Sequence, residues 1–493
     1  MAAAEVFAAR LATGLAGYGD RPFIEFDGRW YSGNEIAAMY RRIEKLLCGN
    51  GVGSGEPVGV VVRNRVPHAA AILGFIAAGR PVVMIYSYQS AAGIASDIAA
   101  LHLPAVIADE QDWTGSVVAA TKVAGSASIS LSLNAIQVIG ARSHAPALTA
   151  ESGIHILTSG TTGAPKRIPI RTAVLQHTVD SITHASAPEP DGPPDVVFWP
   201  FGSVGVCQLL AAPFVGKRMV LLERFTVADW VRAVRTYRIR RSGVQPAMVR
   251  MLLDAPDVSA ADLSSLEFIV GGSGPLESAT REEFERRFGI PVLWAYGATE
   301  FAGSVCSWTP DLYRRYGAAK PDSSGLPLPG VQVRIVDPAT GATLPRNTQG
   351  LLEAKVEVMG PEFIRTTDIA SVDADGFVTI HGRSDGAINR GGFKILPEAV
   401  RRVLLTHPAV RDAFVVGVPD RRLGQIPFAA VELRSEATLP SENDLRQLVR
   451  AALPSHHVPV AIAVVEALPR NAAMKVRPDA VAALYRQTPA ESL

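Results

Sequence analysis

The chain has 493 residues, 48% apolar and 19% charged, which exceeds one ordinary hydrophobic core and points to two or more domains. Lys+Arg 48 against Asp+Glu 47 leave a net charge of +1, arguing against a dedicated nucleic-acid or membrane-surface binder, which would carry a clear basic excess. Cys48, Cys207 and Cys306 lie far apart and have no metal-ligand spacing, so a reduced, cytoplasmic setting is expected.

Met1–Gly17 sets Glu5 and Arg10 among alanines, the pattern of an amphipathic helix and not of a charged stretch leading into an apolar signal core. Short apolar runs then alternate with helical ones: strand Pro57–Val62, helix Pro67–Ala78, strand Pro81–Ile85, helix Ala91–Leu101, strand Ala105–Ala108. That alternation predicts parallel sheets covered on both faces by helices. Ala185–Pro194 reads as a surface loop. Val196–Gly216 carries no charge over 21 residues, long enough to raise the question of a membrane span. Pro200, Gly202, Gly205, Gln208 and Pro213 interrupt it, so a buried strand, turn and helix are expected instead.

After Gly325 the pattern changes to strands and turns: Val331–Val336, Gly350–Val358 and Gly376–Ile380, separated by Asp337-Pro338 and Asp375-Gly376. A β-rich subdomain over residues 325–382 is expected. Beyond it the chain reads as a smaller α+β unit, with helix Pro397–Leu405, strands Arg411–Val418 and Phe428–Leu433, and helix Ser441–Leu453. The expected fold class is α/β, with domains at 1–384 and 385–493.

Thr158-Ser159-Gly160-Thr161-Thr162-Gly163-Ala164-Pro165-Lys166 follows the strand-like Ile154–Leu157. Its glycines allow successive backbone N–H groups to converge, and four hydroxyls add donors, a combination suited to a polyphosphate. The Gly-Lys-Ser/Thr ending of a Walker loop is missing. By composition alone such a stretch is also what a surface turn looks like.

The order TSGTTGAPK resembles the signature of the adenylate-forming superfamily of acyl-CoA synthetases, peptide-synthetase adenylation domains and luciferases. Further motifs of that superfamily follow in the same order: Gly271-Gly272-Ser273-Gly274-Pro275-Leu276, Tyr296-Gly297-Ala298-Thr299-Glu300, Thr367-Asp368 and Gly382-Arg383-Ser384-Asp385. Gly391-Gly392-Phe393-Lys394 and Pro469-Arg470 through Lys475 complete the set, which covers roughly residues 20 to 480.

The resemblance implies roles for these residues. Thr158, Ser159, Gly160, Thr161, Thr162, Gly163 and Lys166, with Gly272, Ser273, Gly274 and Gly297, would line the ATP or AMP site. Tyr296 would stack on adenine, and Thr299 would bond the α-phosphate. Glu300 would hold Mg²⁺, a hard cation that prefers carboxylate and phosphate oxygens. Asp368, an acceptor when ionised, would take the ribose hydroxyl protons, with Arg383 donating from the other side. Taken by themselves, Thr299 and Glu300 also suit a solvated helix start, and Asp368 with Arg383 a surface ion pair.

Lys475 would be the catalytic lysine that bridges carboxylate and α-phosphate, although a lone lysine near a chain end is ordinarily solvated. Asp385 would be the hinge about which a C-terminal lid rotates, and the plain alternative is a linker aspartate. Gly391, Gly392, Phe393 and Lys394 would line a tunnel for the pantetheine of coenzyme A. Phe201, Gly202, Val270 and Gly271 would bound the acyl pocket. The segments near it, Val204–Leu209, Val244–Met251 and Phe268–Gly272, are mostly apolar, which suggests an aliphatic or aryl carboxylic acid.

Several positions depart from the family pattern. Arg167 follows Lys166 where glycine is usual, and Pro200-Phe201-Gly202 replaces a Phe-His pair. Gly202 stands where amino-acid-activating domains carry an aspartate, which weighs against an α-amino acid substrate. Ala399 and Arg401 occupy positions that are usually glutamates, and Asn471 and Met474 replace small polar and glycine residues before Lys475. The implied reaction joins a carboxylic acid to ATP, giving acyl-adenylate and pyrophosphate, and then passes the acyl group to coenzyme A. A free-standing chain without a carrier domain favours that acceptor. The alternatives are a ligase that loads the phosphopantetheine of an acyl carrier protein, a degenerate ligand-binding relative, and, more remotely, Walker-type kinase chemistry. Homodimer formation stays open, and neither nucleic acid nor a membrane is an expected partner.

Overall fold

Val58–Val62 (VGVVV) is buried along its whole length, as a central parallel strand covered on both faces must be. It pairs in parallel with Val82–Tyr86 on one side and Ala105–Asp109 on the other. The computed structural model describes the chain except residues 1–2, 88, 144–152, 159–165, 184–190, 203–204, 273, 299–300, 302, 392, 435–438, 472–473 and 487–493. Around the central strand a seven-stranded sheet forms in the order Ile136–Gly140, Ala127–Leu131, Ala105–Asp109, Val58–Val62, Val82–Tyr86, Gly153–Thr158, Lys166–Arg171. Antiparallel strands close both of its edges.

Helices Val66–Ala77 and Ala91–Leu101 connect the parallel strands, as the alternation predicts. The first is apolar nearly all round and has Pro67 in its first turn, where the missing N–H has no intrahelical partner to lose. The uncharged segment resolves into strand Asp195–Val197, a turn and helix Gly205–Val215. That strand joins Met219–Leu221, Pro22–Phe26 and Arg29–Ser32 in a second sheet. Among the described residues no helix is long and apolar enough to cross a membrane. Cys48, Cys207 and Cys306 form no disulfide. All these elements belong to one compact unit, residues 1–243 with 261–267 and 299–303.

A second unit comprises residues 244–260, 268–298 and 304–493. In it Phe268–Gly271 runs parallel to Val292–Ala298. Val331–Val336, Gly350–Val356, Ile364–Val372 and Val378–Arg383 form an antiparallel sheet, the β-rich region anticipated after Gly325. The C-terminal part joins helices Pro397–Leu404 and Glu442–Ala452 to a sheet built on the long pair Val410–Asp420 and Gly424–Leu433. A reciprocal cap between Ser441 and Asp444 starts the second helix. Val400, Leu404, Val415, Val431, Leu445 and Val449 pack between these layers. The architecture is α/β, as expected.

Candidate active site

The register of Ile364–Val372 against Val378–Arg383 sets Asp368 opposite Arg383, next to an irregularity between Ile369 and Ala370. Asp368 accepts a hydrogen bond of 2.5 Å from the Tyr296 hydroxyl, and its own N–H donates to Thr366 Oγ1 at 3.1 Å. Tyr296 comes from the strand Val292–Ala298. Burial first, and then the Asp368 carboxylate, push the Tyr296 phenol well above its ordinary pKa, so it remains a donor. Gly297, next on that strand, is exposed.

Arg383 lies at the strand end, where its Nε and Nη2 reach the two carboxylate oxygens of Asp385 at 2.8 and 2.6 Å. Nη2 also donates to Thr367 Oγ1 at 2.7 Å, and Ser384 Oγ donates to Thr367 O at 2.9 Å. The expected ribose arginine and the expected hinge aspartate are therefore partners, an interaction that the motif itself did not reveal.

Lys475 sits on a tight turn closed by a bridge between Arg470 and Val476. Asn471 N–H donates to Lys475 O at 2.8 Å, and Lys475 N–H returns a bond to Asn471 Oδ1 at 3.0 Å. Met474 adopts the left-handed conformation, φ 58°, that glycine would take most easily. Both departures before Lys475 are thus turn residues. Lys475 is exposed as a residue, with its ammonium partly screened from water. Burial first, and the Arg383 guanidinium second, draw its pKa below the ordinary lysine value. Among the described residues it has no carboxylate partner. Tyr296, Asp368, Arg383, Asp385 and Lys475 all lie in the second unit.

Gly271 ends its strand against Trp294: a Cβ there would fall 1.8 Å from the indole Cζ3. Trp294 Nε1 in turn donates to Gly274 O at 3.1 Å, while Val270 is exposed. A Cβ on Gly272 would approach Ala295 O at 3.1 Å. Gly391 lies between the two strands of a hairpin, Ile388–Arg390 and Phe393–Ile395. Lys394 is on the second strand, and the exposed Phe393 ring stacks on His456 with centroids 4.7 Å apart.

In the first unit, Thr158 and Lys166 face each other at the ends of paired strands. Ser159, Gly160, Thr161, Thr162 and Gly163, like Ser273, Thr299, Glu300 and Gly392, lie outside the described residues. Arg167 donates to Met84 O at 2.6 Å and to both oxygens of Asp97 at 2.8 Å, so its guanidinium ties the sheet to the helix Ala91–Leu101. Phe201 packs in the core, and its N–H donates to Asn64 Oδ1 at 3.1 Å. A Cβ on Gly202 would fall 2.3 Å from Tyr86 Cε1, and the Tyr86 hydroxyl donates to Gly202 O at 2.7 Å. Tyr86 fills the space a side chain at 202 would need, a neighbour that sequence reading missed because 116 positions separate the two. Among the described residues no cluster of His, Cys, Asp or Glu is arranged to hold a metal.

The family model for AMP-binding enzyme matches residues 11–359, and that for the AMP-binding enzyme C-terminal domain matches residues 400–475. A 4-coumarate–CoA ligase-like protein of Oryza sativa subsp. japonica is 28% identical over 96% of this chain and 89% of its own length. A fatty acid–[acyl-carrier-protein] ligase of Streptomyces coeruleorubidus is 29% identical over 65% of each. The solved structure of the amide bond synthetase McbA from Marinactinospora thermotolerans superposes with a TM-score of 0.82 at 24% identity, covering 98% of this chain and 99% of that one. At that identity the likeness is one of fold.

Proposed function

We propose that this chain, which belongs to the AMP-binding enzyme family, activates a carboxylic acid with ATP and passes the acyl group to coenzyme A. The observation that carries the reading is the strand register that sets Asp368 opposite Arg383, with the Tyr296 hydroxyl donating to Asp368 at 2.5 Å. Lys475, which feels the like charge of Arg383 and has no carboxylate partner among the described residues, is a cation that an ATP phosphate would stabilise.

In the first half-reaction a substrate carboxylate oxygen bonds to the α-phosphorus while the bond to pyrophosphate breaks. Lys475 lowers the repulsion between the two anions. Asp368, oriented by Tyr296, accepts from the ribose hydroxyls, with Arg383 donating nearby. Thr299, the 158–166 segment and the glycines around Ser273 complete phosphate and adenine binding in this reading. Glu300 is the proposed Mg²⁺ ligand, and the ion would neutralise phosphate charge. In the second half-reaction a thiol attacks the acyl carbonyl and AMP leaves. Residues 385–493 would turn about Asp385 between the steps, and the 391–394 hairpin would face the pantetheine.

A second reading replaces coenzyme A by the phosphopantetheine of a carrier protein, and the similarity to a fatty acid–[acyl-carrier-protein] ligase favours keeping it. The test is pyrophosphate release over a panel of aliphatic and aryl carboxylic acids, run with ATP and then with coenzyme A or a phosphopantetheinyl carrier. Thioester formed only on the carrier would replace the first reading by the second. No pyrophosphate with any acid would refute both and leave a ligand-binding relative.

A further inference from the structure

Arg401 replaces a residue that is usually acidic in the family, and its buried guanidinium has an extensive set of partners. It lies on the helix Pro397–Leu404. Nε donates to Ala413 O at 2.7 Å and Nη2 to Asp412 Oδ1 at 2.9 Å. Nη1 donates to Glu398 Oε1 at 2.9 Å and to Glu277 Oε1. Asp412 also meets Arg250 Nη1 at 3.3 Å and Arg470 Nη2 at 2.5 Å. Arg250 closes the ring by donating to Glu277 Oε2 at 2.7 Å.

Arg250, Arg401 and Arg470 thus face Glu277, Glu398 and Asp412, a charge-balanced set in which Arg250, Arg401 and Asp412 are buried and the other three half-buried. Burial opposes charge on Asp412, but Arg401, Arg250 and Arg470 outweigh it and hold its carboxyl well below the ordinary range. Glu277 is held low in the same way against burial, by Arg401 and Arg250.

The cluster runs into the Lys475 turn. With Nη2 on Asp412, Arg470 places Nη1 on the carbonyl of Met474 at 3.1 Å, one residue before Lys475. At its other end the cluster rests on Arg250, from helix Pro246–Asp254, and on Glu277, the residue just before helix Ser278–Phe288. We propose that Arg401 is a positioning residue: through Asp412 and Arg470 it seats the 470–476 turn on the Arg250–Glu277 face, holding Lys475 ready for adenylation. The inference rests on the adenylating reading above, and it makes this ion cluster the contact that opens before the thiol step. Removing Arg401 strands Asp412 and Glu277 with too few cations, which favours parting of the surfaces.

The test uses the full chain with Arg401→Met, Arg401→Lys and Arg470→Gln. Amide hydrogen exchange at Asn471, Met474 and Lys475, whose N–H groups are bonded within the turn, is read without substrate, and pyrophosphate exchange and thiolysis of supplied acyl-adenylate are read separately. Arg401→Met should speed exchange in the turn by at least about tenfold. It should slow adenylation by roughly a hundredfold, the scale of a catalytic group misplaced by about 1 Å, and leave thiolysis within about twofold. Arg401→Lys should restore part of the adenylation rate. Arg470→Gln leaves the Arg401–Glu277–Asp412 contacts standing and should give the same split, which decides the matter if Arg401→Met fails to fold. Unchanged exchange in the turn, or an equal fall in both half-reactions, overturns the proposal. A wild-type protein that activates no acid refutes the adenylating reading instead, and turn exchange then still decides whether Arg401 holds the turn.

Discussion

Replacing Lys475 by alanine should separate the two half-reactions. The backbone bonds that shape its turn, Asn471 N–H to Lys475 O and Lys475 N–H to Asn471 Oδ1, do not use the side chain, and its ammonium has no carboxylate partner to strand among the described residues. Folding stability should therefore stay within about 0.5 kcal/mol of wild type. Losing one positioned charge contact in a transition state removes about 3–4 kcal/mol, on the order of a hundred- to thousandfold in rate. That loss should fall on pyrophosphate exchange, while supplied acyl-adenylate and thiol still give thioester at nearly the wild-type rate. The pH profile gives a second signature. Burial and Arg383 favour the neutral amine, so the active ammonium is lost at a lower pH than an ordinary lysine pKa of about 10.4 would give. Adenylation by the free enzyme should decline early on the alkaline side, and that limb should vanish in Lys475→Ala. Full-speed adenylation by Lys475→Ala would refute the reasoning, since a merely solvated lysine gives that result.

Tyr296→Phe removes the donor that holds Asp368, a bond to a charged acceptor of about 1.5–3 kcal/mol; ATP affinity measured by calorimetry should weaken, and unchanged affinity would count against the ribose role. Gly202→Ala should destabilise by about 1–3 kcal/mol because its Cβ meets the Tyr86 ring, with stability recovered in a Tyr86→Leu background as read by urea unfolding. Asp412 ionises more readily folded than unfolded, so its stabilisation is present above the unfolded carboxylate pKa of about 3.9 and is lost as pH falls toward its depressed folded value. The stability gap between wild type and Asp412→Asn should accordingly narrow as pH drops from about 5 to about 3, and a gap independent of pH would refute the assignment.

Legibility of the fold followed burial. Val58–Val62, Ala91–Leu101 and Val331–Val336 announce themselves because their apolar residues have one destination each, a core between layers. Ile364–Val372 was missed, although it carries Asp368. Its central Arg365-Thr366-Thr367-Asp368 is polar for reasons of site and surface, which hides the alternation of a strand. The resemblance marked the 391–394 segment for a tunnel without revealing that it belongs to a hairpin, Ile388–Arg390 with Phe393–Ile395. Motif order singled out Tyr296, Asp368, Arg383 and Lys475 one by one. Their pairings were not, since Tyr296 and Asp368 are 72 positions apart and only the folded chain brings them together.

The departures from the family pattern bear on whether the chain is a working enzyme or a decayed one. Relaxed constraint leaves substitutions that nothing around them answers. Here Arg167 donates to both carboxylate oxygens of Asp97, Gly202 accommodates the Tyr86 ring, and Asn471 accepts from the N–H of Lys475. Arg401 is the most demanding case, because a buried guanidinium without acceptors costs several kcal/mol. Its three carboxylates and one carbonyl come from residues as far apart as Glu277 and Ala413, so the substitution and its surroundings fit as a set. That mutual fit around the turn carrying Lys475 supports a retained first half-reaction over a vestigial nucleotide site.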